Sequence, residues 1–205
     1  MTEKTTARDR NSAAVRDAMI AGAEQLLAGG GPAAAAIPRV LALTGAPRGS
    51  IYHYFPDGKD ELMGCAIEFS DRRMRELLTE KSVTSPFELV SRWFDIWAAV
   101  LVRSDFDAGC AITAVVVAGE SPKSRQHAAE VFSGQEQLLA ETLRSLGVPR
   151  ADAERLAPIM IASAEGAVIL GRAERGTRPI EIMRASVLAQ LTTLGLGPSV
   201  AGSGV

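Results

Sequence analysis

The spacing of apolar residues between glycine and proline breaks constrains the fold of this chain most strongly. Between residues 12 and 28, apolar side chains recur every three or four positions, which places them on one face of a helix. The glycine run and proline at 29–32 end that helix, because glycine adopts the left-handed exit conformation and proline cannot continue it. Similar patterns recur along the chain, which predicts an all-α fold.

Two short helices and one long helix are predicted next. The short ones cover about 37–43 and 47–54, and each has a proline in its first turn, where a helix needs no backbone donor. A connection centred on Gly45 joins them, with the length found in helix-turn-helix units. The long helix covers about 57–80, with Asp57 as its N-cap and Asp60 three residues later in a capping-box-like pattern.

Five more helices are predicted after a break at 82–86, at about 86–103, 107–119, 122–146, 150–173 and 178–195. The segment AITAVVVAG at 111–119 is continuous and β-branched, so its pattern alone supports a buried strand equally well. Its helical neighbours favour a helix. We divide the chain into an N-terminal domain at 1–60, with a polar tail and a helix-turn-helix, and a larger C-terminal domain at 61–205.

Composition excludes several classes of protein. The chain has 22 basic and 24 acidic residues, so any binding of a polyanion must come from a local patch. Its two cysteines and two histidines show no metal-ligand spacing, and the sequence has no phosphate loop and no nucleophile elbow. Its longest continuous apolar stretch is too short to span a bilayer. We therefore expect a cytoplasmic protein without catalytic residues, metal, cofactor or membrane contact.

The segment TGAPRGSIYHYF at 44–55 combines a turn, an arginine and several aromatic side chains. If Ile51 and Phe55 anchor it to a three-helix core, its polar side chains lie on the face that enters a DNA major groove. Arginine binds guanine O6 and N7, glycine permits close backbone approach, and hydroxyl and imidazole groups donate to phosphates. The candidate DNA-binding residues are Thr44, Arg48, Gly49, Ser50, Tyr52, His53, Tyr54 and Lys59. Tyr54 could equally pack at the edge of the core.

Residues 15–62 resemble the DNA-binding region of the TetR (tetracycline-repressor) family. The family pattern runs glycine, small or proline, basic, glycine, serine or threonine, apolar, tyrosine, any residue, histidine or tyrosine, phenylalanine, and Gly45 through Phe55 match it. The resemblance implies DNA contacts at Arg48, Gly49, Ser50, Tyr52, His53 and Lys59. The usual serine or threonine cap of the second helix is absent in AAAAIPRV, which predicts fraying by about 1 kcal/mol.

Two further features are similar to a subgroup of drug- and flavonoid-responsive repressors in that family. The lysine of PDGK lies one residue later than the common spacing, as in the FPxGK sequence of the subgroup. The segment GCAITAVVV at 109–117 is similar to its GC-x-x-x-A-V-like segment. The resemblance therefore extends beyond the first domain.

The resemblance implies that the C-terminal helices enclose an apolar cavity for a small effector. The candidate lining residues are Trp93, Phe94, Trp97, Cys110, Thr113, Val117, Phe132, Met160 and Ser163. The alternative is that these side chains form an ordinary core.

The resemblance also implies a homodimer, in which the last two helices of each chain form a four-helix bundle. The helix at 150–173 has a side of small residues, and the helix at 178–195 has an apolar stripe. The candidate interface residues are Ala157, Ala164, Ala167, Gly171, Met183, Val187, Leu191 and Leu194. Packing within one chain is the alternative.

The combined hypothesis is a ligand-responsive DNA-binding transcriptional regulator. It would be a homodimeric repressor, bound to a palindromic double-stranded DNA operator and released by a small apolar effector. Two alternatives remain: a helical interaction or sensor protein without DNA binding, and an enzyme with no recognisable motif.

Overall fold

A computed structural model describes residues 7–80, 82–119 and 121–196, with side chains from Ser12 onward. Within those ranges every regular element is helical, which confirms the predicted all-α class. The helices are α1 (Ala7–Ala34), α2 (Ile37–Thr44), α3 (Ile51–Tyr54), α4 (Lys59–Thr79), α5 (Pro86–Arg103), α6 (Ala111–Ala118), α7 (Pro122–Ser145), α8 (Arg150–Glu174) and α9 (Arg178–Thr193), and a 3-10 turn (Arg48–Ser50) precedes α3. The ambiguous segment at 111–119 is therefore helical, as its neighbours indicated.

The helices form two compact units, each built from two stretches of chain. The first unit contains the described residues up to Arg73 together with Ala108–Val131. The second contains Met74–Asp107 and the described residues from Phe132 onward. These units differ from the predicted domains at 1–60 and 61–205, because α6 and the start of α7 cluster with the helix-turn-helix. The predicted boundary separates a DNA-binding domain from an effector-binding and dimerisation domain. That division of functions stays a prediction.

In the first unit, α1 packs against α2 and α6. Its side chains Met19 and Leu27 are fully buried. A Cβ on Gly22 would lie 2.7 Å from Thr44 Cγ2, so glycine permits the close approach of α1 and α2. The helix is interrupted at Gly31, which has a φ of 71°. This interruption lies within the predicted break at 29–32.

The turn between α2 and α3 fixes the direction of the recognition segment. Gly45 caps α2 in the left-handed conformation, with a φ of 67°. Ala36 at the other end of α2 provides no side-chain cap, as the sequence AAAAIPRV predicted. Behind α3, Ile51 and Phe55 are 1% and 0% exposed. The predicted anchoring of this segment by its two apolar residues is confirmed.

The start of α4 differs from the prediction. The helix begins at Lys59, after Gly58 with a φ of 67°, and not at Asp57. The backbone N–H of Asp57 instead donates to Glu61 Oε2 at 3.0 Å. Asp57 was therefore wrongly predicted as the N-cap, because the left-handed Gly58 turns the chain before the first helical residue.

In the second unit, α5 packs against α8 and α9. The start of α5 resembles a capping box: the N–H of Glu88 donates to Oγ of the N-cap Ser85, and the N–H of the preceding Thr84 donates to Glu88 Oε2. By length and composition alone, α8 could span a bilayer, although charged residues interrupt its apolar positions and it contains no long continuous apolar run. Its small residues pack against α5, as in the core helix of a folded domain.

Candidate nucleic-acid interface and ligand sites

The predicted DNA-binding residues lie on one exposed segment of the first unit. Arg48, Gly49, Tyr52 and His53 are exposed, and the Tyr52 side chain is 66% exposed. The 3-10 turn and α3 therefore present a compact set of groups that can donate to phosphates and base edges.

Three predicted DNA-binding residues already use their hydroxyl groups within the unit. The hydroxyl of Thr44 donates to the carbonyl oxygen of Val40 at 2.9 Å, and that of Ser50 donates to the carbonyl oxygen of Pro47 at 2.6 Å. The Ser12 hydroxyl donates to Tyr54 Oη at 3.1 Å. Tyr54 is half-buried by this contact, which favours its packing role, the alternative left open by the sequence.

The recognition segment contacts the start of α4 through Tyr52. A Cβ on Gly58 would lie 3.5 Å from Tyr52 Cε1, so the tyrosine ring rests beside the turn that leads into α4. Lys59 is the first residue of α4 and is half-buried. Its ammonium group stands at the N-terminal end of α4, where the helix dipole also attracts anions, so this end of the helix can bind a phosphate.

Arg16 supports this surface from behind, a role that sequence patterns did not reveal. Its guanidinium carbon lies 5.2 Å from the centre of the Phe55 ring, and its Nη2 donates to Cys65 Sγ at 3.3 Å. Burial raises the pKa of the Cys65 thiol, and the guanidinium charge opposes that rise. Arg16 therefore joins α1 to both the recognition segment and α4. The sequence shows only that Arg16 is a basic residue in α1, a helix that was predicted from its apolar positions. Nothing else in the sequence indicated its supporting role.

The predicted ligand-pocket residues are divided between the two units. In the second unit, Trp93, Phe94 and Met160 are fully buried, and Trp93 Nε1 donates to the carbonyl oxygen of Met160 at 3.1 Å. The rings of Trp93 and Trp97 pack edge to face, with centroids 6.3 Å apart. Phe132 in the same unit is half-buried. These contacts favour the ordinary-core alternative for Trp93, Phe94 and Met160.

The other predicted pocket residues have different roles. In the first unit, Cys110 caps α6, because its Sγ accepts a hydrogen bond from the N–H of Thr113 at 3.4 Å. Val117 is 77% exposed, so it was wrongly predicted to line an enclosed cavity. In the second unit, Ser163 lines a groove of about 270 Å³ between α8 and α9. A continuous β-branched run gives no indication of which side of a short helix faces solvent, which explains the error at Val117.

Most of the predicted dimer-interface residues are buried within one chain. The buried ones are Ala157, Ala164, Ala167, Gly171, Val187 and Leu191. A Cβ on Gly171 would lie 2.7 Å from Leu101 Cδ1, so this small side of α8 is in close contact with α5. Their burial favours the alternative, packing within one chain, because a small-residue side permits close packing there equally well. Ala167 also lines the groove between α8 and α9. Met183 and Leu194 are half-buried and remain candidates.

A different side of α8 and α9 is apolar and exposed. Its large side chains are Ile169, Leu170 and Ile182, which are 57%, 55% and 44% exposed. Leu170, Ile182 and Met183 also line the groove between α8 and α9, which contains the small residues Ala162 and Gly166. Exposed apolar surface of this kind is typical of a protein–protein contact.

A cavity of about 370 Å³ lies in the first unit, between α4, α6 and the start of α7. None of its lining residues was predicted as a ligand contact. Its buried floor contains Met63, Ile67 and Val115, and five carboxylate side chains surround it: Asp57, Asp60, Glu61, Glu68 and Glu130. Their sequence spacing carried no recognisable motif, because only the fold brings α7 beside α4.

Two known family models match this chain, one in its N-terminal part and one in its C-terminal part. Residues 19–64 match the family described as bacterial regulatory proteins, tetR family. Residues 86–186 match the C-terminal domain described as transcriptional regulator LmrA/YxaF-like.

Curated relatives and solved structures agree with these matches. An uncharacterized HTH-type transcriptional regulator of Mycobacterium tuberculosis is 33% identical over 187 residues, covering 86% of this chain and 95% of the relative. The HTH-type transcriptional regulator LmrA of Bacillus subtilis is 22% identical, over 69% of this chain and 78% of that protein. The crystal structure of a TetR transcriptional regulator from Chloroflexus aurantiacus has a similar fold, with a TM-score of 0.74, 24% identity, and coverage of 89% of this chain and 96% of that chain. The chain therefore belongs to the TetR family of helix-turn-helix transcriptional regulators.

Proposed function

We propose that this regulator is a repressor that a small, mainly apolar effector releases from a palindromic operator. One observation carries the proposal: Arg48, Gly49, Tyr52 and His53 are exposed on a segment whose Ile51 and Phe55 are fully buried. A recognition helix can read a DNA groove when the core holds it rigidly from behind and its polar face is exposed. The proposed binding partner is chromosomal DNA, and the family consists of soluble regulators. We therefore place the protein in the cytoplasm.

Base and phosphate contacts are assigned to different side chains of this surface. Arg48 reads a guanine edge, and Gly49 allows the backbone to approach the duplex. Tyr52, His53 and Lys59 bind phosphates. Thr44, Ser50 and Tyr54 have secondary roles, because each hydroxyl is already engaged within the chain. Ser50 must rotate its hydroxyl away from Pro47 before it can donate to a phosphate.

Support for effector binding in the C-terminal part comes from Trp97. Its side chain is only 5% exposed, and its indole Nε1 has no hydrogen-bond partner among the described residues. A buried donor without an acceptor costs about 1–3 kcal/mol, so an acceptor atom on a bound ligand would recover that energy. We therefore retain Trp97 as an effector contact while assigning Trp93, Phe94 and Met160 to the core.

We place the protein in the drug- and flavonoid-responsive subgroup. The FPDGK sequence at 55–59 and the GCAITAVVV segment at 109–117 support this assignment. The match of residues 86–186 to an LmrA/YxaF-like C-terminal domain is compatible with it.

Regulators of this family act as dimers, and we propose that the exposed apolar side of α8 and α9 forms the contact here. Ile169, Leu170 and Ile182 supply large apolar side chains, and Met183 and Leu194 extend the surface. A two-fold contact of this kind would place two recognition segments on successive half-sites of a palindrome.

The test is a mobility shift with DNA taken from upstream of the gene that encodes this chain. Arg48→Ala should weaken specific retention by about tenfold, since a bidentate base contact contributes about 1–3 kcal/mol. Tyr52→Ala should weaken retention by about threefold to tenfold, since it removes one hydrogen bond to a charged phosphate. Arg125→Ala, which removes an exposed arginine from α7, is the matched control and should retain the DNA. Equal retention by the Arg48→Ala, Tyr52→Ala double variant and the wild type would refute the proposed surface.

A further inference from the structure

The cavity between α4, α6 and α7 has the size and lining of a small-molecule site. Its volume of about 370 Å³ falls in the range of natural ligand pockets, about 300–1,000 Å³. Met63, Ile67 and Val115 form an apolar floor, and each is at most 3% exposed. The opening is polar. This combination of apolar floor and polar opening accommodates a ligand with one hydrophobic part and one charged or polar group.

The charges at the opening are mostly negative. Five carboxylates line the cavity, namely Asp57, Asp60, Glu61, Glu68 and Glu130. The lining side chains that can carry a positive charge are Lys123 and His127. A low-dielectric floor strengthens the field of charges at its edge, so the cavity attracts cations and repels anions.

Lys123 and His127 are held at this site by weak, replaceable contacts. Lys123 Nζ lies 3.4 Å from Asp57 Oδ2, and both side chains are more than two thirds exposed. His127 Nε2 lies 3.1 Å from Glu68 Oε1, and His127 Nδ1 lies 3.7 Å from Glu130 Oε2. Exposed ion pairs of this kind contribute about 0–1 kcal/mol, so a ligand that brings its own positive charge can displace them.

We propose that this cavity binds a small organic cation with an apolar body. The charged centre takes the place of the His127 side chain between Glu68 and Glu130, and the apolar body lies on Met63, Ile67 and Val115. The His127 side chain is 30% exposed, so it can turn toward solvent and leave this place to the ligand.

Binding at this cavity acts on the chain next to the recognition segment. Asp57 lies in the turn that joins α3 to α4, immediately before Gly58 and Lys59. A cation held between Glu68 and Glu130 adds a positive charge to the cavity that Lys123 also lines, and this charge repels Lys123 and weakens its ion pair with Asp57. That ion pair joins the turn to α7, and the Tyr52 ring lies beside the same turn. The effect on DNA rests on the proposed function, whereas binding of the cation does not.

The experiment measures binding of two probes of the same shape and opposite charge to the full chain by calorimetry. Tetraphenylphosphonium is a rigid apolar cation, and tetraphenylborate is its anionic counterpart. The wild type should bind the cation at least about tenfold more tightly. Glu68→Gln and Glu130→Gln should each weaken cation binding about threefold, and together about tenfold, as expected for half-exposed charges. Glu76→Gln on α4 and Glu136→Gln on α7 are the matched controls outside the cavity, and both should bind as the wild type does.

Two results would overturn the inference: equal binding of both probes, or cation binding that the Glu68→Gln, Glu130→Gln double variant retains in full. Circular dichroism of each variant excludes loss of fold as the cause of weakened binding. Mobility shifts are run in parallel on the same samples. Failure of the wild type to retain DNA in the absence of any probe counts against the proposed function alone. Retained DNA binding with no preference for the cation counts against the cavity alone.

Discussion

Arg175 Nη2 lies 2.6 Å from Asp105 Oδ2, and both residues have left-handed backbone conformations, with φ values of 51° and 50°. Phe106, with a φ of 64°, lies beneath the same guanidinium, whose carbon is 5.9 Å from the ring centre. Arg175 terminates α8, and Asp105 follows the end of α5. One side chain thus holds together three residues in a conformation that costs non-glycine residues about 1–2 kcal/mol each.

Two substitutions of Arg175 distinguish the stability contributed by its side-chain contacts from the cost of its left-handed backbone conformation. Arg175→Ala removes the contacts with Asp105 and Phe106 but keeps a Cβ at the left-handed position, so it should destabilise the protein by about 1 kcal/mol. Arg175→Gly removes the same contacts and also relieves the strain, so it should be about 1 kcal/mol more stable than the alanine variant. Urea unfolding of the two variants measures the difference. Identical midpoints for alanine and glycine would show that this position is not strained.

Gly58 and Gly49 should respond oppositely to the same substitution. Gly58→Ala places a side chain on a residue with a φ of 67°, so the variant should lose about 1 kcal/mol of stability. Gly49 has no heavy atom within 4 Å of the added Cβ, so Gly49→Ala should fold as stably as the wild type. The same Cβ should nevertheless weaken DNA binding, because it keeps the backbone away from the duplex. Thermal melting and mobility shift on both variants test this contrast, which a stable, fully DNA-binding Gly49→Ala variant would contradict.

Glu24 makes stability depend on pH. Burial raises the pKa of its carboxyl, against the opposing attraction of Arg73 and the hydrogen bond of Ser70. Because the folded-state pKa lies above the ordinary value of 4.5, the ionised carboxylate destabilises the fold at neutral pH. This destabilisation decreases as the pH falls through the pKa that Glu24 has in the folded state. It is absent at pH values below the pKa of Glu24 in the unfolded state. Glu24→Gln should therefore raise the melting temperature at pH 7 and leave it unchanged at pH 4.

The control for this effect is Glu76→Gln, which removes an exposed carboxylate from α4. It should leave the melting temperature nearly unchanged at both pH values. A Glu24→Gln variant that is stabilised equally at pH 7 and pH 4 would mean that the side-chain shape, and not its charge, causes the effect.

The exposed apolar side of α8 should control the oligomeric state. Leu170→Glu introduces a charge where the side chain is 55% exposed, so it should raise the dimer dissociation constant by at least about tenfold without unfolding the chain. Val102→Glu makes a comparable change at an α5 side chain that is 59% exposed, and it should leave the dimer intact. Sedimentation velocity across a dilution series measures both. A Leu170→Glu protein that sediments as the wild type does would place the dimer contact elsewhere.

Helix positions could be predicted well because local signals determine them. The predicted limits of α5 at 86–103 match the structure at both ends, since Ser85 and Pro86 mark the start and Ser104 follows the end. The limits of α6 could not be predicted as well, because a continuous run of alanine and valine has no strong end signal. Its N-cap is the thiol of Cys110, which is an uncommon cap.

The sequence by itself determined the helical class, the glycine-centred turn and the anchoring of the recognition segment by Ile51 and Phe55. Each of these depends on residues close together in the chain, where spacing and turn chemistry are sufficient. Only the tertiary structure decided which side of α8 is buried and that α4 and α7 form a carboxylate-lined cavity. Those features depend on contacts between residues more than 50 positions apart, such as Glu68 with His127 or Leu101 with Gly171, and no local pattern records which surfaces meet.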